Sequence, residues 1–455
     1  MEYQQYLDAH QDRFVEEYLE FLRFPSISAL PAHAPDVQRA AEWVADRVAQ
    51  AGLENAEVMQ TGGHPVVYGD WLHAPGQPTV LIYGHLDVQP VDPLDLWDHP
   101  PFEPRLADDR VSARGASDSK GNMFPTIVAL EGLLQSEGRL PVNVKLCYEG
   151  QEEIGSPQIS DFLARHKEKF ACEIAVSSDG GQFDADQPSL TVALRGVCAV
   201  QVDVTGPSRD LHSGSYGGSV CNPIHELAAM LAGLHHKDGS VAVPGFYDRV
   251  REATTEERAQ TAAVPFSEEE FLTETGARAV FGAPGYTTRE RIWHRPTLEI
   301  NGVWGGYQEA GIKTVLPSRA GAKITCRLVA DQDPEEIRTL LIDHLTHAAP
   351  EGVAVDVQRL SMDGKPYEIP SGNRFNRIAA AVLTEEYGKA PVYLRAGGSI
   401  PITGCFRDHL GVHTVNFGFG LKDELAHSPN EFFRLSSFRR SQRLYARLLR
   451  RMAVQ

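Results

Sequence analysis

Seven side chains are able to bind a metal or move a proton: His85, Asp87, Glu152, Glu153, Asp179 and His427, which stand where apolar runs give out, and Asp118, on a polar turn that leads into one. Residues 80–83 read as a strand covered on both faces, and the run then ends in a histidine and a carboxylate. The run 142–148 ends in Glu152 and Glu153, the run 173–178 ends in Asp179, and His427 follows 414–417. Like-charged carboxylates brought together repel, and would protonate or weaken the fold unless cations neutralise them. A pair of divalent ions would do so. Histidine and carboxylate without cysteine suit Zn²⁺ first, with Mn²⁺ or Co²⁺ next, whereas Mg²⁺ and Ca²⁺ sites normally omit histidine.

Two ions need a shared ligand, and Asp118, on a tight polar turn at a helix entry, is the candidate bridge. One ion would then take His85 and Asp179, the other Glu153 and His427. Asp87 is placed to accept the hydrogen bond from the free ring nitrogen of His85 and so to fix its tautomer. Glu152 is left over. An acid beside a ligand, itself free, can take the proton from a metal-bridging water and pass it to a leaving amine.

The elements that must position these groups follow from the pattern. Helical spacing of Tyr6, Phe14, Tyr18, Leu19 and Leu22 predicts a helix over 2–23, and Trp43, Val44 and Val48 predict another over 40–51. Strands then alternate with helices (about 124–134 and 158–169), with acids at the strand ends. That is a doubly wound α/β sheet with its site at the carboxyl edge. A proline- and aspartate-rich loop over 89–104 excludes a regular element there.

After residue 194 the order becomes β-α-β-β-α-β, with helices opening at Asn222-Pro223 and Asp333-Pro334, which reads as a ferredoxin-like second domain. The expected division is 1–194 and 373–455 for a first domain interrupted by 195–372, with 237–296 as an elaborated surface insertion, helical near 267–278. A basic amphipathic helix over 433–450 reads as a cover with a solvated arginine face.

The chain has 455 residues, 42% hydrophobic and 23% charged, which is ordinary for a globular protein with a large core. Its 43 basic and 61 acidic residues leave a net charge of −18, which argues against a nucleic-acid partner. Six scattered cysteines form no C-x-x-C pair and read as reduced core residues. The start of the chain has no apolar segment of the export type, and no run is long enough to cross a membrane. The expectation is a cytoplasmic protein without membrane partners.

The stretches YGHLDVQP (83–90), WDHPPFEP (97–104), RGASDSKG (114–121), EGQEEIGS (149–156), SSDGG (177–181), LHSGSYGG (211–218), GGSIP (397–401) and AHSPNE (426–431) together resemble the M20 family of metallopeptidases, carnosinase-type dipeptidases in particular. The resemblance implies a hydrolase-like α/β catalytic domain interrupted by a lid and dimerisation domain, and a homodimer through that lid. It implies metal binding by His85, Asp118, Glu153, Asp179 and His427, Asp87 as the supporting acid and Glu152 as general base. It further implies that His212 reaches the reacting centre of the partner subunit, and that Arg327, Gly398 and Ser399 hold the substrate's carboxylate. In the family the Asp118-Ser119 bond would be cis. Many relatives carry an acid where Ser119 stands.

The function expected is two-metal hydrolysis of dipeptides or short peptides. An N-acyl amino-acid deacylase or desuccinylase would use the same centre, and an inactive peptide- or metal-binding homologue is the reading from another class. An unligated Glu152 has no use in a pure binder.

Overall fold

The computed structural model describes residues 2–397 and 401–454. It comprises two compact units, one of Met1–Val192, Ile369–Leu394 and Ile400–Gln455, the other of Ala193–Glu368 and Arg395–Ser399.

The first unit is built on a six-stranded sheet, in spatial order Glu54–Met59, Val66–Trp71, Asn143–Glu149, Thr79–His85, Ile174–Ser177 and Thr414–Asn416. The last four strands are mutually parallel. The first two are added antiparallel, so the sheet is mixed and departs from the purely doubly wound expectation. The outermost strand escapes a hydrophobic reading because no residue of Glu54–Met59 is buried. In Thr79–His85, Leu81 and Tyr83 join a core with Phe162 and Phe406, while Val80 and Ile82, on the opposite face by alternation, are equally buried.

The central helix, Gly121–Glu137, is buried almost all round through Leu133. Helices Gln11–Leu22, Ala34–Gln50 and Leu435–Met452 pack near it through a shared aromatic cluster. Tyr18 stacks on Phe438 at 4.9 Å, and Phe21 on Trp43 at 5.1 Å. Gly121 makes the entry to the central helix possible, because a Cβ there would meet the Ala116 carbonyl oxygen at 2.2 Å. The expected single helix over 2–23 breaks at His10 into Tyr3–Ala9 and Gln11–Leu22, and that over 158–169 breaks at His166. On the last helix Arg443, Arg447, Arg450 and Arg451 pair with Asp8, Glu386, Glu137 and Glu385, so its basic face is answered by acids of the same unit. No helix among the described residues is long and apolar enough to cross a membrane.

The second unit has a four-stranded antiparallel sheet in the order Thr297–Gly305, Arg319–Leu328, Gly196–Thr205, Ala354–Gly364. Helices Pro223–Ala232 and Pro334–His347 are packed on it through Leu227, Leu231, Leu341 and Leu345 against Val200, Val202 and Ile324. Both helices open as read, with Asn222 and Asp333 accepting first-turn N–H groups and a proline next in line. The segment 237–296 is more ordered than its weak periodicity suggests. It holds helices Thr255–Ala263, Glu268–Thr275 and Thr288–His294, opened by Thr254, Ser267 and Thr287. Nor is it only a surface addition, since it supplies the buried Glu257 and His294.

His294 is held in its neutral form. Its Nε2 lies 2.8 Å from Thr261 Oγ1, and burial, aided by the Arg395 charge, pushes its pKa from about 6.5 down to about 4. Between those values the unfolded chain binds more protons than the folded one, so stability falls as pH is lowered through that window. Urea midpoints measured from pH 7 to pH 4 should therefore decline less steeply for His294→Gln than for the parent chain; identical slopes would contradict this.

Candidate metal centre

Each parallel strand ends at the same edge of the first unit's sheet, and each end delivers a ligand-type side chain. His85 closes Thr79–His85; Asp179 lies just beyond Ile174–Ser177; Glu152 and Glu153 form a short turn after Asn143–Glu149. His427 follows Thr414–Asn416 by way of a turn at Lys422–Glu424. Asp118 comes from the turn that precedes the central helix. The Asp118-Ser119 peptide is cis.

Asp118 stands between the two histidines. Its Oδ1 lies 3.1 Å from His85 Nε2, and its Oδ2 lies 2.9 Å from His427 Nε2. His85 Nε2 is also 4.0 Å from Asp179 Oδ1, and His427 Nε2 is 3.2 Å from Glu153 Oε2. The ligand atoms thus form two groups that share Asp118: His85, Asp118 and Asp179, and Asp118, Glu153 and His427, each within a span of 4.8 Å. A second oxygen of Glu153 is buried with no hydrogen-bond partner. Two nitrogen-and-oxygen sets sharing one carboxylate, with an idle buried oxygen beside them, fit a pair of divalent ions.

Asp87 does two jobs, and one differs from expectation. The ring Nδ1 of His85 is nearer the main-chain oxygen of Asp87, at 3.1 Å, than its carboxylate, at 3.6 Å. The carboxylate is occupied elsewhere, accepting the N–H groups of Glu152 and Glu153 at 3.1 Å each. One buried acid therefore fixes the His85 ring through its backbone and the glutamate turn through its side chain.

The turn bearing Asp118 is pinned by Glu431, which the motif AHSPNE contains but to which the sequence assigned no role. Its buried carboxylate accepts N–H groups of Gly115, Ser117 and Asp118 at 2.8–2.9 Å and the guanidinium of Arg114 at 2.8 Å. Asn122 ties neighbouring loops, donating to Ser117 and Gly180 oxygens and accepting from Phe419 N–H. The only sequence signal for either was its place beside a functional run.

The charges strain against one another as carboxylates without counter-ions should. Burial raises Glu152 well above the usual carboxylate range, and Asp179 and Glu153 add to the rise. Burial also lifts Asp179 to about 6. Burial opposes charge on Asp118 too, but the two imidazoles win and hold it far below that range. His427 is raised to about 10 by its bonds to Asp118 and Glu153, and His85 is held high by Asp118 and Asp87 against its burial.

His212 and Arg327 belong to the second unit. His212 sits on the short strand Leu211–His212, exposed, and its Nδ1 accepts the N–H of Gly214 at 3.1 Å. A neutral ring so fixed carries its proton on Nε2, ready to donate. Arg327 lies half-buried in Arg319–Leu328. Gly398 and Ser399 lie outside the described residues.

Comparison with known proteins gives a consistent result. The family model described as "Peptidase family M20/M25/M40" matches residues 81–451. The Cys-Gly metallodipeptidase of Schizosaccharomyces pombe is 31% identical over 98% of this chain and 97% of its own. Human Beta-Ala-His dipeptidase is 29% identical over 99% and 92%. The crystal structure of an M20 family metallo-carboxypeptidase from Sulfolobus solfataricus superposes with a TM-score of 0.84 at 31% identity, over 97% of this chain and 99% of that one.

Two outcomes follow from the geometry. Asp118 raises the proton affinity of both histidines, so loading the chelated protein with Zn²⁺ should expel protons and weaken as pH falls; weakly buffered titration with a pH dye reads this, and no proton release would contradict it. Glu431→Gln should weaken metal affinity about 10- to 100-fold with the circular dichroism spectrum unchanged; unaltered affinity would mean that Glu431 does not hold the Asp118 turn.

Proposed function

This chain belongs to the M20/M25/M40 peptidase family, and from that premise we propose that it hydrolyses the peptide bond of dipeptides with two divalent ions, Zn²⁺ first among them. The observation that carries the proposal is Asp118, which presents one oxygen to each of two histidine-centred groups while Glu152 stands half-buried and outside both groups. The bound ions would polarise the scissile carbonyl and make a water acidic enough to attack near neutral pH.

The chain's own residues do the rest. His85 with Asp179, and Glu153 with His427, would hold the ions, and Asp118 would be shared between the two groups. Asp87 and Glu431 keep these side chains in register. Glu152 accepts the proton of the attacking water and returns it to the leaving amine, a task suited to a carboxyl whose affinity for protons is raised. His212, with its proton on Nε2, donates to the developing oxyanion. Arg327, Gly398 and Ser399 hold the substrate's terminal carboxylate, for which a guanidinium fork is geometrically apt.

The second unit is proposed as a ferredoxin-like lid and dimerisation domain, a reading its β-α-β-β-α-β order supports, with His212 serving the partner's centre. The six free cysteines accord with a reducing cytoplasm. The relatives named for dipeptide hydrolysis favour peptidase over deacylase.

The test is hydrolysis of Cys-Gly, β-Ala-His and other dipeptides beside their N-acetylated forms, after chelation and re-addition of Zn²⁺, Mn²⁺ or Co²⁺. Restored cleavage of the free dipeptides is expected; cleavage of the N-acyl series alone would reverse the assignment. Glu152→Gln should lower kcat by about 10²- to 10⁴-fold with bound metal unchanged, and retained turnover would remove Glu152 as the proton carrier.

A further inference from the structure

Arg195 is a buried cation without a counter-ion. It is 8% exposed, its Nε has no hydrogen-bond partner, and among the described residues no acid lies within 4.0 Å of its guanidinium. Only Nη2 is engaged, donating to the Arg295 carbonyl at 3.0 Å and to Thr297 Oγ1 at 3.3 Å, both neutral acceptors. A guanidinium cannot shed its proton, so removing it from water calls for a neutralising charge.

The surroundings do not provide one. Arg195 lines a recess of about 30 Å³, lying wholly within the second unit, together with Arg251, Arg395, Glu368, His294 and Trp293. Arg251 and Arg395 are each shared between Glu257 and Glu368, at 2.6–3.1 Å, in a closed ring that balances its own charge. His294 is neutral above about pH 4. Arg327 adds a second positive charge: its cross-strand partner is Thr297, the residue Arg195 reaches, and burial together with Arg327 lowers the Arg195 pKa to about 10. Glu299 tempers this from an exposed position. The recess therefore carries an uncompensated positive charge, and its volume exceeds the roughly 10–15 Å³ that a single water requires.

We propose that this recess is a binding site for a small monoanion of carboxylate or halide size, held by the guanidinium of Arg195. The unengaged part of the guanidinium is the donor such an ion would use, and Arg251, Arg395 and Glu368 of the closed ring form its wall. The ion is a free one, because the substrate's terminal carboxylate is assigned to Arg327, Gly398 and Ser399, none of which lines the recess.

Thermal unfolding of the full-length, metal-loaded protein tests this at constant ionic strength, with sodium gluconate replaced stepwise by sodium chloride or sodium acetate. The expected result is a saturating rise of about 2 to 4 °C with a small anion. It should vanish in Arg195→Gln and weaken in Arg195→Lys, which keeps the charge but not the fork. A response that never saturates, or one unchanged in both variants, would overturn the site. Dipeptide hydrolysis should then show an unchanged KM at anion concentrations that saturate the melting shift; acetate competing with substrate would overturn a separate site. Because the melting shift needs no turnover, it stands or falls apart from the proposed peptidase activity.

Discussion

Negative side chains gathered on one sheet edge govern this molecule. Asp118, Glu152, Glu153 and Asp179 come from distant parts of the chain, and each would be comfortable alone in water. Buried together, Glu152 and Asp179 hold their protons more tightly, first because burial disfavours their charge and then because neighbouring acids repel it, while two imidazoles keep Asp118 ionised. Such an arrangement is costly to fold unless cations answer it. The fold accepts that cost through rigid supports, because a carboxylate free to swing away would relieve the repulsion and dissolve the geometry.

Those supports are main-chain hydrogen bonds to buried side chains. Glu431 holds the Asp118 turn by three N–H groups, Asp87 holds the glutamate turn by two, and Asn122 joins the loops that follow neighbouring strands. Glu149 is bound by Tyr83 and Ser156 at the root of the same turn, and burial raises it to about 7. Parallel strands supply the coarse convergence, since their ends all face one way. The hydrogen bonds supply the last ångström.

Much of this could be read in advance. A strand buried on both faces that ends in His85 announces its polar terminus by contrast, and the same holds for Asp179 and for the Glu152-Glu153 pair. Helices with an asparagine or aspartate followed by proline announce their first turn. What escaped lacked contrast. Glu54–Met59 has no buried residue, so it shows no apolar alternation; the helices Thr255–Ala263 and Thr288–His294 are short and declare themselves by caps rather than by periodicity. Glu431 and Asn122 act on backbone groups, and no side-chain pattern in the sequence points to a main-chain partner 314 or 297 residues away. The same holds for the second task of the Asp87 carboxylate, which accepts the N–H groups of Glu152 and Glu153.

The central claim is that two cations share Asp118, and anomalous diffraction from crystals of the Zn²⁺-loaded protein tests it most directly. Two peaks per chain are expected, about 3.5–4 Å apart, one beside His85 and Asp179, the other beside Glu153 and His427, with Asp118 touching both. A single peak, or two of which neither contacts Asp118, would contradict it.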